Sequence, residues 1–185
     1  MRSFIAIELS ETVRSALAEL QKELKESRAD IRWIKPENIH LTLKFLGNVD
    51  ERITVETERI IKEICKKYSM FTLEVKGISA FPGMKSPRVL WVGINSKDVL
   101  IKIQKDIDGG TASLGVEREN RRFTPHLTLG RFRSAMGKEN LIDKIELHKN
   151  ESFGLIEAKS ISLIRSDLKP AGAQYTKIAE VSLGR

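Results

Sequence analysis

The 185-residue chain contains one cysteine and three histidines. It has no stretch that approaches a membrane span and no low-complexity or linker-like tract. A single cysteine excludes an intrachain disulfide and any site built on paired thiolates. Cys65 sits beside Ile60, Ile61 and Ile64 in a helical pattern and reads as a small buried hydrophobe rather than a nucleophile. The opening "MRSFIAIELS" has one positive charge and only a short apolar run before Glu8, too short for a signal peptide. With no later membrane span, the expectation is a soluble, cytoplasmic protein. The missing linker argues for one bilobal unit over residues 1–185 rather than separable domains.

What is present is a sufficient core and an excess of positive charge. Hydrophobic residues make up 41% of the chain, enough to fold without covalent staples. Lys and Arg number 32 against 25 Asp and Glu, a formal net charge of +7. Such an excess favours polyanionic partners, because neutralising phosphates releases counterions. Ordinary solubilising charge fits the same number.

Hydrophobic periodicity divides the chain into two similar halves. "SFIAIEL" alternates as a strand does, and Ser10 then caps a helix carrying Val13, Ala16, Leu17, Leu20 and Leu24 at helical spacing. A short strand at "IRWI", a "KPEN" turn, a strand through Phe45, a helix over 50–68 and a strand at "FTLEVKGI" follow. The order then repeats: "RVLWVGI" is a strand and Ser96 begins a helix with Val99, Ile103 and Ile107, interrupted by Gly109 and Gly110. A short element at "RRF", a strand through Phe132, a helix over 138–149 and a strand at "SFGLIEA" complete the second half. The predicted fold is α+β, with two β-α-β-β-α-β pseudo-repeats over about 1–80 and 86–160. Two C-terminal strands fill 160–182.

The same tetrapeptide, HLTL, occupies the third strand of each half, at residues 40–43 and 126–129, and it uses two of the three histidines. In a strand, alternate side chains face opposite ways. His40 and Thr42 therefore share one face, with Leu41 and Leu43 on the other; His126 and Thr128 oppose Leu127 and Leu129 in the same way. Two such strands meeting about a pseudo-twofold axis would surround one cleft with two imidazoles and two hydroxyls. That set suits a ribose 2′,3′-cyclic phosphate. Water needs a base, the departing ribose oxygen needs an acid on the opposite side of phosphorus, and histidine serves either role near neutral pH. Threonine hydroxyls can donate to the non-bridging oxygens. Lys44, by strand parity, joins the His40 face as a further cation, and Arg131 and Arg133 follow the second motif. A lone histidine on a strand is more often structural, and matched positions in two matched halves reverse that judgement. No metal is expected, because zinc takes three or four protein ligands. The remaining His148 ends a charged helix, where a cation suits the helix dipole.

The segments "FIAIEL", "W…ENIHLTLKFLG", "SPRVLWVGI", "FTPHLTLGR" and "GAQYTKI" cover nearly the whole chain. With them it resembles the RNA 2′,3′-cyclic phosphodiesterases, also called 2′-5′ RNA ligases, of the two-histidine phosphoesterase superfamily. Ala173 departs from the proline of the family pattern. The resemblance implies two antiparallel sheets facing a central cleft, with no cofactor. It makes His40 the proton donor and His126 the acceptor, so that the 3′ oxygen leaves and a 2′-phosphomonoester remains. Thr42 and Thr128 would hold the phosphate. Arg131 is the best further phosphate ligand, although its parity puts it off the histidine face unless a bulge intervenes. Tyr175 could stack a base or equally be an edge tyrosine. The implied partner is RNA with a cyclic-phosphate end, tRNA fragments among the candidates, or nucleotides such as ATP and GTP, bound by a monomer. Ligation of the cyclic end to a 5′-hydroxyl, action on small cyclic nucleotides and a non-catalytic RNA-binding module are the alternatives.

Overall fold

A computed structural model describes residues 1–95 and 98–184. Nine strands and four α-helices follow in the order β1 (Arg2–Glu8), α1 (Glu11–Lys25), β2 (Ile31–Trp33), a 3-10 turn (Pro36–Asn38), β3 (His40–Asn48), α2 (Glu51–Cys65), β4 (Phe71–Phe81), β5 (Val89–Asn95), α3 (Asp98–Ala112), β6 (His126–Phe132), α4 (Lys138–His148), β7 (Ser152–Ala158), β8 (Ser160–Lys169) and β9 (Gly172–Ser182). The fold is α+β, as expected. The Ser10 hydroxyl accepts from the Val13 N–H at 3.4 Å, and Asp50 caps α2 by accepting from the Ile53 N–H at 2.8 Å. The apolar stripe Val13, Leu17, Leu20 and Leu24 is buried along α1.

All strand pairs within the two sheets are antiparallel. One sheet runs β3-β1-β8-β9 and the other β2-β6-β5-β4-β7. The sheets do not coincide with the halves of the sequence. β2 and β4 cross into the second sheet, and the C-terminal hairpin β8–β9 completes the first. The helices cross as well: α2 and α3 pack on the first sheet, α1 and α4 on the second. The main core runs from Ile5 to Leu183, and a smaller cluster of Phe4, Ala6 and Ile164 lies apart from it against Tyr175.

Two expected details differ. α3 runs unbroken through Gly109 and Gly110, because Gly110 lies against α2: a Cβ there would sit 2.7 Å from Ile60 Cγ2. Glycine at this position permits the two helices to approach rather than ending one of them. The "RRF" segment is not a strand; residues 116–125 form an extended loop rich in charge and without strand alternation. The edge of β6 that such a strand would have covered is paired with β2 instead. Ser96, read as the start of α3, lies outside the described residues, as do Lys97 and Arg185. Among the described residues no helix is long and apolar enough to cross a membrane.

Candidate active site

His40 and His126 are the first residues of β3 and β6. In each, Nδ1 lies against the carbonyl oxygen two residues back: Asn38 O at 2.7 Å and Thr124 O at 2.6 Å. A carbonyl only accepts, so Nδ1 carries the hydrogen in both rings and Nε2 is the end left for chemistry. The turn holding Asn38 is itself fixed, since Asn38 Nδ2 donates to Ala173 O of β9 at 2.9 Å. The motif strands are tied together through the segment between β2 and β3. Ile34 N donates to Leu129 O at 2.9 Å. The buried Gln21 of α1 donates to both Ile34 O (2.7 Å) and Leu129 O (3.0 Å). Leu41, Leu43, Leu127 and Leu129 are buried in the core, while Thr42 and Thr128 stand half-buried on the histidine faces. Among the described residues neither threonine hydroxyl has a hydrogen-bond partner.

Each motif strand carries a bulge at the same place. Ala6 pairs with Thr42 but Ile5 with Lys44, and Trp91 pairs with Thr128 but Leu90 with Gly130. One extra residue reverses the alternation beyond it. Arg131 therefore comes onto the histidine face, by the bulge its parity required, and its charge acts on both His126 and Tyr175. Lys44 goes the other way, and here the sequence expectation is corrected. Its side chain is 3% exposed and its ammonium is bound to Asp108 Oδ1 of α3 and to Glu117 O, each at 2.6 Å, so it is no phosphate ligand. Phe45 takes the place on the cleft face. Gly130 is the counterpart of Lys44, and a Cβ there would lie 2.5 Å from Ile31 Cγ2 of β2.

The surroundings of the two imidazoles differ in charge. Burial lowers the pKa of His40, opposed by its bond to the Asn38 carbonyl and by the carboxylate of Glu8, which stands opposite it across β1 and β3. Burial also lowers His126, opposed by the Thr124 carbonyl and reinforced by the Arg131 guanidinium. Glycine, Gly93, stands opposite His126 where Glu8 faces His40. The Glu8 carboxylate is held at 2.8 Å by both Ser162 Oγ and Lys177 Nζ. With Arg14, His40, Ile164 and Tyr175 it lines a cavity of about 360 Å³.

Aromatic rings brace both histidines. Phe4 stacks on His40 (centroids 4.5 Å, planes 20° apart), and Tyr175 meets the same ring edge-on at 5.3 Å. Phe81 and Trp91 stack on each other at 4.8 Å and approach His126 at 4.9 and 6.1 Å. His40 and Tyr175 line one cavity, β3 and β6 lie against each other, and the charge of Arg131 reaches from His126 to Tyr175. Phe4, Glu8, Phe81 and Trp91 were not singled out by sequence. The signal for Phe4, Glu8 and Trp91 was parity on β1 and β5, readable only once those strands are paired with β3 and β6; Phe81 ends β4 and reaches the site by stacking on Trp91. His148 is elsewhere, bound to Glu151 and to Glu23 of α1. Among the described residues no three His, Cys, Asp or Glu side chains are grouped so as to hold a metal ion. Cys65 is buried, and burial pushes its thiol up to about 11.

This arrangement has relatives. A protein of Methanocaldococcus jannaschii named RNA 2′,3′-cyclic phosphodiesterase is 37% identical over 180 residues, covering 97% of this chain and 99% of its own. One of the same name from Methanothermobacter thermautotrophicus is 32% identical, covering 95% of each. Among solved structures, a Thermus thermophilus protein superposes with a TM-score of 0.82 at 26% identity, covering 99% of this chain and 98% of that one. Escherichia coli LigT in complex with 3′-AMP shares the fold with a TM-score of 0.82 at 23% identity, covering 100% and 98%. The profile of one family matches twice in succession, over residues 7–91 and 92–175, so that each match takes in one histidine motif. By that double match and by its full-length relatives, the chain belongs to the LigT-like phosphoesterase family.

Proposed function

We propose that this protein hydrolyses the 2′,3′-cyclic phosphate at the end of an RNA, leaving a 2′-phosphomonoester. The observation that carries this reading is the pair of imidazoles held alike by Nδ1, with both Nε2 atoms left open and unlike charges beside them. His126, beside Arg131, is biased toward the neutral form; its Nε2 takes a proton from water as the water oxygen attacks phosphorus. Burial also holds His40 toward the neutral form, and the Asn38 carbonyl and Glu8 carboxylate oppose it; when protonated, its Nε2–H passes a proton to the ribose 3′ oxygen as the P–O3′ bond breaks. The free hydroxyls of Thr42 and Thr128 donate to the non-bridging oxygens, and Arg131 adds positive charge on the same side. Tyr175 lines the His40 side, where the terminal nucleoside would lie. The relatives named RNA 2′,3′-cyclic phosphodiesterase support this substrate, and the net charge of +7 suits RNA. Solved structures of E. coli LigT in complex with 3′-AMP and with ATP support nucleotide binding. All the groups named come from one chain, so a monomer suffices.

The test is product analysis of a short RNA ending in a 2′,3′-cyclic phosphate, incubated with the protein and a chelator. A terminal 2′-phosphate supports the reading, and a terminal 3′-phosphate overturns the roles given to His40 and His126. Unchanged substrate overturns the hydrolase. Adding an RNA with a 5′-hydroxyl end separates ligation, which would appear as a joined product.

A further inference from the structure

We propose that the shallow pocket beside Phe45 receives the second nucleotide from the end of the RNA, so that the enzyme prefers oligonucleotide ends to cyclic mononucleotides. The inference rests on the hydrolase reading above and names its substrate more closely. A nucleotide whose 2′ and 3′ oxygens close the cyclic phosphate is joined to the rest of an RNA only through its 5′ oxygen. Any second point of contact must therefore lie beside the cleft.

The structure offers one on the His40 side. The bulge in β3 that buries Lys44 turns Phe45 onto the opposite face of the strand, where the residue is 59% exposed. Phe45 is reached from His40 by two ring-to-ring steps, 4.5 Å to Phe4 and 6.1 Å onward. It forms one wall of a pocket of about 360 Å³ whose other wall is the loop leading into His126, with Arg118, Asn120 and Arg121. Glu117 and Glu119 also line it. Among the described residues neither arginine forms an ion pair. An exposed aromatic face beside unpaired guanidinium groups matches a base and its phosphate, and stacking accepts any base. The loop is anchored from beneath. Lys44 Nζ holds Glu117 O at 2.6 Å, and its partner Asp108 accepts from the Glu119 N–H at 3.0 Å. The wall is thereby fixed before RNA arrives, which lowers the ordering cost of binding.

The experiment compares kcat/KM for 2′,3′-cyclic AMP with that for a tetranucleotide ending in the same cyclic adenosine. The wild type should favour the tetranucleotide. Phe45→Ala, and separately Arg118→Gln with Arg121→Gln, should each cut the tetranucleotide value by about 10-fold. The cyclic AMP value should hold. The double arginine variant should also flatten the salt dependence of tetranucleotide turnover. No preference in the wild type, or equal losses on both substrates, would overturn the proposal while leaving the hydrolase reading intact. If the wild type turns over neither substrate, the hydrolase reading falls. The pocket is then judged by the affinity of a labelled tetranucleotide ending in a 3′-phosphate. Weaker binding in both variants sustains it, and unchanged binding overturns it.

Discussion

Lys44→Met separates the two roles that position 44 could have. As a phosphate ligand, Lys44 would be exposed in the cleft and its loss would cost turnover without stability. As found, its ammonium is buried between Asp108 and the Glu117 carbonyl, each bond 2.6 Å, with side-chain exposures of 3% for Lys44 and 14% for Asp108. Removing one member of a buried pair typically costs about 3–5 kcal/mol, mostly from the charge left behind. Asp108 keeps some exposure and the Glu119 N–H, and methionine preserves the apolar stem, so the expected loss is about 2–4 kcal/mol. For a chain of this size that is a fall in Tm of roughly 5–15 °C. Lys44→Met with Asp108→Asn should recover much of it, since no charge then remains buried. The pH dependence has a definite sign. Burial raises the Asp108 carboxyl, but the Lys44 bond, the Glu119 N–H and the charges of Lys44 and Arg118 outweigh it and hold the group below its ordinary range. Its stabilisation is therefore present above the unfolded carboxyl pKa of about 3.9 and is lost as pH falls through the folded value. The gap between wild type and Lys44→Met should narrow in acid. Thermal denaturation with parallel turnover of cyclic AMP checks all of this. A variant with unchanged Tm and lost turnover would refute the reasoning.

Both cleft histidines have lowered pKa values, so the bell-shaped pH profile of kcat/KM should be centred below about 6.5, whichever ring is the acid. A bell centred above that value would contradict the burial seen here. His40→Ala and His126→Ala should each reduce kcat by about 10²- to 10⁴-fold while circular dichroism shows the fold retained; full activity in either would remove that histidine from the mechanism. His148→Gln should lower Tm in mild acid and matter less as pH rises. The bond to Glu151, with the help of Glu23, raises the His148 pKa, so its stabilisation is complete below about 6.5 and lost as pH passes the folded value. A Tm difference that grows with pH would refute that clamp.

The pairing of imidazole and hydroxyl on one face, with leucines on the other, was legible in HLTL because strand alternation is a local rule. Arg131 was legible conditionally: its parity was wrong, and only a bulge could make it right. The matching bulge in β3 defeated the reading of Lys44, because a bulge is set by how β1 packs on β3 and not by the strand's own residues. Glu8, Phe4, Phe81 and Trp91 escaped for a related reason. Each meets a histidine through tertiary pairing or packing, and no spacing along the chain encodes which residue faces which. Gly109 and Gly110 read as a break in α3, since glycine disfavours a lone helix; the neighbouring α2 makes the absent Cβ at Gly110 an advantage. The exchange of β2 and β4 between sheets is likewise invisible to local pattern, although the order of elements in the first half was read correctly.

In the mechanism proposed above, near-identical strands perform unlike steps because their neighbours differ in charge. From the motif's first residue through the bulge the two copies run parallel: the same backbone partner for Nδ1, a free threonine hydroxyl, two buried leucines, then a residue turned inward. On the histidine faces, two positions differ in charge. Opposite the histidine stands Glu8 in one copy and Gly93 in the other; five residues beyond it on the cleft face stand Phe45 and Arg131. A carboxylate on one side and a guanidinium on the other favour a proton on His40 and its absence on His126. Both rings are biased toward the neutral form by burial, so in the proposed mechanism this opposition of charges selects the ring that holds the single proton of the productive state. In that mechanism the phosphate oxygens face Arg131, and its apolar counterpart Phe45 is exposed. A symmetric pair of histidines could run the reaction from either side. On the proposed reading, the placement of one Glu and one Arg commits the cleft to a single leaving oxygen and a single direction of approach for the rest of the RNA.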